Sequence, residues 1–480
     1  MTSAAPALPR ILGEIRPRPR WREARLLALV AVTILIGSIS LELTQRTGTA
    51  AGTATDLSPA EPFHLLVYIG ILAAAHFAQV LTGRRTDQVL LPAVGLLGGI
   101  SLLLMERLPQ DLVVQHFFGA DLGLADVQLI WLSMSILLAT VLAIVVRSDR
   151  WLRLYKYTWA AAGVALLLLT FVLGTEINGQ RLTIAFGPVS GQPSELLKVI
   201  LVVFLAGYLS ENRPLLVEES TRIGPVSIPP LPYLAPMAAM WAIALGIVVV
   251  QRDLGAALLF FAVFLLLTYA ATGRIAYVFL GLILFLVGAF VMYKLVPHVQ
   301  TRVDVWLDPF AQAQGAGYQV IHALYAFGRG GLLGTGLGGG LPIVGGQPGG
   351  IPEIHTDFPL AALGEETGLV GITAILGLYL VVIERGLRIG ASAGDDFRSL
   401  LSAGLALVVG VQAFIIAAGN LKLIPLTGIT LPFISYGGSS LLVNGIVVGL
   451  LLALSDKGVE PPPAPKPPGR FARLTRRAGA

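Results

Sequence analysis

Long apolar runs recur along the chain, separated by short polar segments rich in Gly, Pro and charge. A helix crossing a bilayer needs about 20 apolar residues, at about 1.5 Å each against a core about 30 Å thick. On that measure the pattern predicts spans near 26–44, 64–82, 88–106, 127–146, 156–174, 193–210, 231–250, 254–271, 275–296, 358–384, 399–418 and 431–454. Two are weak on hydropathy alone. The run at 193–210 carries Glu195 and Lys198, and the run at 254–271 follows its predecessor after only Arg252 and Asp253. The predicted fold class is an all-α integral membrane protein, a polytopic helical bundle of about 12 transmembrane helices.

Composition excludes the alternatives. Charged residues are 13% of the 480, where soluble domains carry about 25%, too few to cover a globular surface of this size. With no cysteine, disulfide frameworks, thiolate metal sites and cysteine nucleophiles are ruled out. The first apolar run follows the basic segment Arg16 to Arg25. It is too long for a signal-peptide core and lacks a small-residue cleavage site, so it is expected to remain as a membrane anchor. With the amino terminus inside, the inner segments hold 24 of the 33 Lys and Arg residues and the outer segments eight, with Lys198 inside a span. This bias predicts the cell membrane with both termini cytoplasmic. Beyond Lys457 the chain reads PPPAPKPP and then RFARLTRR, either an extended linker with a membrane-surface patch or a solvated end without a partner.

The longest non-apolar stretch is the outer, Gly-rich extracellular loop 297–357. Loops this long are functional or disordered. Trp306, Phe310, Tyr318 and Phe327, with Phe358 just beyond it, are interleaved through it and argue for packing onto the bundle. Gly density between Gly315 and Gly340 permits close backbone approach to an anion, a weak signal by itself. Ionisable groups in or beside spans cost about 2.5–3.5 kcal/mol each and mark function by default. They are Glu195, Lys198, Arg252, Asp253, Asp357, Glu365 and Glu366.

Each of these groups also has a structural reading. Glu195 and Lys198, three apart, share a helix face as a functional pair or as a neutral lock between helices. Asp253 suits the N-cap of the following helix. Glu353, His355 and Asp357 make a poor transition-metal site, although carboxylates can hold a hard divalent cation such as Mg²⁺ or Mn²⁺. No resident cofactor is called for, nucleic acid is not an expected partner, and no Ser-His-Asp elbow, HExxH or P-loop occurs. Pro425, Gly428, Pro432, Gly437 and Gly438 interrupt a helix that would otherwise continue, and broken backbone at membrane depth must line a cavity or be buried. This interruption and the one at 251–255 both fall on the outer side, which predicts one outward-facing cleft.

Seven segments in order carry a resemblance. They are QPSELLK (Gln192 to Lys198), QRDLGAALL (Gln251 to Leu259), GAGYQ (Gly315 to Gln319), GRGGLLGTGLG (Gly328 to Gly338), PEIHTDF (Pro352 to Phe358), GEETGLVG (Gly364 to Gly371) and IPLTGITLPFISYGGSS (Ile424 to Ser440). Together they resemble the SEDS family, whose best-known members are RodA and FtsW, in a longer form with two extra amino-terminal helices. The implied layout is a basic cytoplasmic segment 1–25, amino-terminal helices over 26–174, a SEDS core over 175–455 and a Pro-rich basic tail over 456–480.

The resemblance implies a peptidoglycan glycosyltransferase. It would polymerise lipid II, a disaccharide-pentapeptide on undecaprenyl pyrophosphate, at the outer face of the membrane beside a class B penicillin-binding protein. Such chemistry needs a base for the acceptor 4-hydroxyl and cations or amides for the departing pyrophosphate. The family carries an essential Asp in the long loop, and in that register this chain has Gln312, which cannot accept a proton. Asp308, four residues earlier, and Asp304 are the replacement bases to consider, and a turn or cap role for Asp308 is the alternative.

For substrate binding the resemblance points to Arg302, Lys422, Arg252 and Arg329 as cations facing pyrophosphate, or as residues snorkelling to headgroups. It also points to Glu195, Lys198, Asp253, His355, Asp357, Ser435 and Tyr436. The readings rank as polymerase, then catalytically silent scaffold for a transpeptidase, then flippase for a lipid-linked precursor. Elongation and division branches share these motifs.

Overall fold

The computed structural model describes residues 17–50, 62–117, 120–177, 180–186, 189–218, 221–223, 226–228, 246, 253–340 and 351–456. Its helices are α1 (Trp21–Ala50), α2 (Pro62–Leu81), α3 (Leu90–Arg107), α4 (Leu124–Val145), α5 (Arg150–Leu154), α6 (Lys156–Leu173) and α7 (Pro193–Glu218). The second half holds α8 (Leu254–Thr272), α9 (Ile275–Leu295), α10 (Pro297–Leu307), α11 (Tyr318–Gly330), α12 (Pro359–Ala391), α13 (Asp396–Asn420) and α14 (Gly438–Ser455). Among the described residues, strands are confined to short antiparallel ribbons in the connections, two-stranded except where Gln180–Phe186 pairs with both Thr175–Ile177 and Val189–Gly191.

Ten described helices are long and apolar enough to cross a membrane: α1 to α4, α7 to α9 and α12 to α14. The span expected at 156–174 is α6, whose apolar run Lys156–Thr170 is shorter, and the span expected at 231–250 lies outside the described residues. These segments are helical for one reason. In hydrocarbon no water satisfies backbone amides, and a helix satisfies them within itself.

Packing follows small residues. A Cβ on Gly445 would stand 2.6 Å from Ser135 O, and one on Gly449 2.9 Å from Ala139 Cα, so glycines four apart let α14 lie directly on α4. α13 is the hub, packed against α7, α8, α12 and α14. Both described ends of the chain meet at one end of the bundle, where Arg84 Nη1 lies 2.6 Å from Asp456 Oδ2 and Arg20 Nη1 donates to Arg84 O at 3.2 Å. The described parts of the long loop, 297–340 and 351–357, lie at the opposite end, the loop end.

Two expected spans are altered. The helix expected over 431–454 begins only at Gly438. Residues 421–437 instead re-enter the bundle as irregular backbone: Gln412 Nε2, about two turns before the end of α13, donates to Thr430 O at 2.8 Å. Phe433 sits at φ +63°, and Tyr379 Oη takes up Pro432 O at 2.5 Å, so the broken backbone is satisfied by protein. The span expected over 358–384 runs to Ala391 and breaks at Gly368, with φ 65° and ψ −168°. The Gly-rich strap beside it fills that break, with Leu369 N donating to Gly331 O at 3.0 Å and Gly336 N to Glu366 O at 3.0 Å. The amides of Gly334, Thr335, Gly336 and Gly339 are likewise spent on protein carbonyls, which argues against an anion cradle at those four positions.

Candidate functional site

α10 is short and amphipathic, and His298, Arg302 and Val305 fall on one face at helical spacing, with Thr301 and Trp306 flanking them. That face closes one wall of a cavity of about 310 Å³ at the loop end. Ala316, Gln319 and Val320 at the start of α11 line a second wall. Asp357, Gly419, Lys422, Ile424 and Leu426 line the third. Two hydrogen bonds seat α10 on the re-entrant loop: Trp306 Nε1 donates to Lys422 O at 3.1 Å and Arg302 Nη1 to Leu426 O at 2.8 Å.

Among the residues lining this cavity, Asp357 is the one carboxylate and Arg302 and Lys422 are the fixed cations. Burial pushes the Asp357 carboxyl up to about 6 and Glu353 adds to the rise, while Arg302 and a hydrogen bond from Thr356 pull it back. Burial also weighs against the Arg302 charge, and Asp357 and Asp253 compensate for it. The Asp357 backbone is pinned by Asn420 Nδ2, which donates to its carbonyl at 2.8 Å. Gly428, at φ +72°, leaves room between the two groups. A Cβ there would lie 3.6 Å from Arg302 Nη2 and 3.8 Å from Asp357 Oδ2.

Behind Gly428 lies a second, much smaller polar pocket of about 30 Å³. Lys198 Nζ donates to Glu195 Oε2 at 2.6 Å, as the three-residue spacing predicts, and also to Gln412 Oε1 at 2.8 Å. Asp253 caps α8 by accepting from Ala256 N at 3.0 Å, and it takes a 3.3 Å hydrogen bond from Ser194. Burial raises its pKa first, and Glu195 adds to the rise.

The other sequence candidates fall elsewhere. Asp308 Oδ1 accepts from Phe310 N at 3.1 Å and Ala311 N at 3.3 Å, the cap role weighed from sequence, and it is exposed. Asp304 lies off the cavity face of α10 and accepts from Tyr293 Oη at 3.1 Å. Gln312 is exposed on the following 3₁₀ turn. None of the three lines the cavity. Arg329 is paired with Glu365 at 2.7 Å, and Arg107 with Glu366 at 2.5 Å.

Ser435 and Tyr436 act as struts for the Asp357 segment: Ser435 Oγ donates to Thr356 O at 2.6 Å and Tyr436 N to His355 O at 2.8 Å. Burial lowers the His355 pKa against the pull of Glu353, and its Nε2 is 4.0 Å from that carboxylate. Arg252 lies outside the described residues. Among the described residues no three His, Cys, Asp or Glu side chains gather as a metal site.

Sequence reasoning did not place His298, Trp306, Gln319, Gln412 and Asn420 in the site, although it had Trp306 packing onto the bundle. The first two could have been found from the amphipathic spacing on 297–307. The others become visible only when helices distant in the chain are packed.

An apolar groove of about 560 Å³ opens next to the cavity, lined by α8 and α9 residues including Ala257, Phe261, Gly281, Phe285 and Gly288. Arg302, Ile424 and Leu426 belong to both spaces. α9 packs on α8 and leaves most of its surface uncovered, and its groove-lining residues Leu284, Gly288 and Ala289 are exposed.

Fold and site thus define a multi-pass membrane protein with an amphiphilic cleft at its loop end. Residues 87–459 match the family described as Cell cycle protein, FTSW_RODA_SPOVE, and the chain belongs to it. It is 37% identical over 448 residues to the peptidoglycan glycosyltransferase RodA of Mycobacterium bovis, covering 93% of this chain and 92% of that protein. It is 35% identical over 294 residues to the probable peptidoglycan glycosyltransferase FtsW of Geobacter metallireducens, covering 61% and 74%. A solved chain described under "Structural coordination of polymerization and crosslinking by a peptidoglycan synthase complex" superposes with a TM-score of 0.61 at 27% identity, covering 77% of this chain and 98% of that one.

Proposed function

We propose that this chain is a peptidoglycan glycosyltransferase that polymerises lipid II at the outer face of the cytoplasmic membrane. One observation carries the reading: the polar cavity and the apolar groove meet at Arg302. A donor with a sugar pyrophosphate head and a polyprenyl tail needs such a junction, with the tail in the groove and the pyrophosphate held by Arg302 and Lys422. The Lys and Arg bias supports a loop end that faces outside and termini that face the cytoplasm. RodA and FtsW relatives named as peptidoglycan glycosyltransferases support the activity. Alignment over 93% of the chain with RodA, against 61% with FtsW, favours the RodA branch.

A class B penicillin-binding protein is the proposed partner, supported by the likeness to a chain from a peptidoglycan synthase complex. A divalent cation such as Mg²⁺ or Mn²⁺ is proposed to accompany the pyrophosphate of the substrate. The scaffold reading draws on Gln312 alone. Against a flippase, the pocket at the buried Glu195–Lys198–Gln412 cluster, about 30 Å³, is too small for a headgroup.

The test is strand formation from lipid II by the purified chain with a class B transpeptidase and divalent cation. Glycan strands are expected from the natural sequence. No strands until Gln312→Asp restores them would overturn the reading in favour of a scaffold.

A further inference from the structure

Resting on the glycosyltransferase reading, we propose that Asp357 is the catalytic base of this chain, in place of the acid that Gln312 displaces. A base must stand at the space where the acceptor hydroxyl and the departing phosphate meet. Asp304 is turned to Tyr293, Asp308 is spent on two backbone amides, and Gln312 is exposed outside the cavity. Asp357 lines the cavity wall from the loop preceding α12, opposite α10 and the first turn of α11.

Its surroundings suit the task. Arg302 from α10 pulls the raised pKa of the carboxyl back down, Asn420 from α13 fixes its backbone, and Gly428 keeps a side chain out of the place where a Cβ would touch both charged groups. The remaining charged and titratable groups around it are Glu353 and His355 on its own segment, Lys422 on the re-entrant loop, His298 on α10 and, behind Gly428, Asp253. The acid therefore sits among cations that can hold a pyrophosphate while it takes a proton.

The step balances. The acceptor 4-hydroxyl oxygen forms a bond to the anomeric carbon of the donor, and the bond from that carbon to pyrophosphate oxygen breaks. The electron pair leaves with the lipid pyrophosphate, between Arg302 and Lys422. The hydroxyl proton passes to Asp357 and from there to water. A base ionising near the working pH serves both halves of that exchange.

The experiment is lipid II polymerisation by the full chain with its transpeptidase partner, comparing the natural sequence with Asp357→Asn and Asp357→Glu across pH 5 to 9. Lipid II binding and thermal melting are followed in parallel. Asp357→Asn is expected to lose about 10²–10⁴-fold in polymerisation rate while still binding lipid II. Asp357→Glu is expected to keep partial activity with its acidic limb displaced from that of the natural sequence. If Asp357→Asn polymerises at the natural rate, or the acidic limb of Asp357→Glu does not move, the base is elsewhere and the glycosyltransferase reading stands. If the natural sequence makes no strands at any pH, both the reading and the base fall together.

Discussion

At Asp357 burial and function pull in opposite directions, and the consequence is measurable. Its folded pKa, raised from 3.8 to about 6, means that the native state holds the proton more tightly than the unfolded chain. Stability tied to this group is therefore fully present below about pH 4 and lost as pH rises through 6. At about 1.36 kcal/mol per unit the loss is about 3 kcal/mol at neutral pH. Asp357→Asn should accordingly raise the melting temperature at pH 7, with the gain shrinking as pH falls toward 4. A variant that melts lower at pH 7 would refute this account of the burial. Gly428 gives a second expectation at this scale. An alanine there must hold φ near +72° and insert a methyl between Arg302 and Asp357. Gly428→Ala should cost about 1–2 kcal/mol in stability and cut polymerisation by more than that strain accounts for, read as a melting curve beside a rate.

Among the elements, α12 is the one most dependent on a single residue. Gly368 turns the chain to φ 65°, ψ −168°, and a Cβ there would lie 2.4 Å from Gly334 N and 2.5 Å from Leu332 O. Gly368→Ala combines backbone strain of about 1–3 kcal/mol with overpacking of similar size, so folded yield and melting temperature should both fall sharply. If its melting curve matches that of the natural sequence, the strap over α12 does not need the break. Most spans were legible from hydropathy, because a bilayer leaves a spanning segment little choice but helix. The failures share a cause. Leu431, Phe433 and Ile434 are as apolar as any helix core, yet they lie in irregular backbone held by Tyr379, Thr356 and Gln412, which come from elsewhere in the chain. Hydropathy counts apolar side chains and carries no information on who takes up the backbone amides.

Across the whole molecule, the junction at Arg302 joins a polar cavity to an apolar groove, and the two can be tested apart. Gly288 lines the groove with nothing within 4 Å of a Cβ placed on it, so Gly288→Trp can fill the groove without disturbing the cavity. The expectation is a KM about tenfold higher, or about 1.4 kcal/mol, for a long-chain lipid substrate and little change for a short-chain analogue. Equal effects on both substrates would mean that the groove does not hold the tail.

The amino-acid sequence by itself determined the membrane class, most of the spans, the Glu195–Lys198 pair and the Asp253 cap, because each depends on composition or on neighbours within one helical turn. It also carried the ordered motifs that the family match over residues 87–459 bears out. Only the tertiary structure decided which carboxylate faces the cavity. Asp304 and Asp308 are nearest to Gln312 along the chain, but helix phase and a cap turn them away, while Asp357 arrives from the far end of a long loop. Residues 302, 357, 420 and 428 meet because α10, α13 and the re-entrant loop pack together. Spacing along a sequence records geometry over one or two turns, and a site assembled from four separate segments is set by packing.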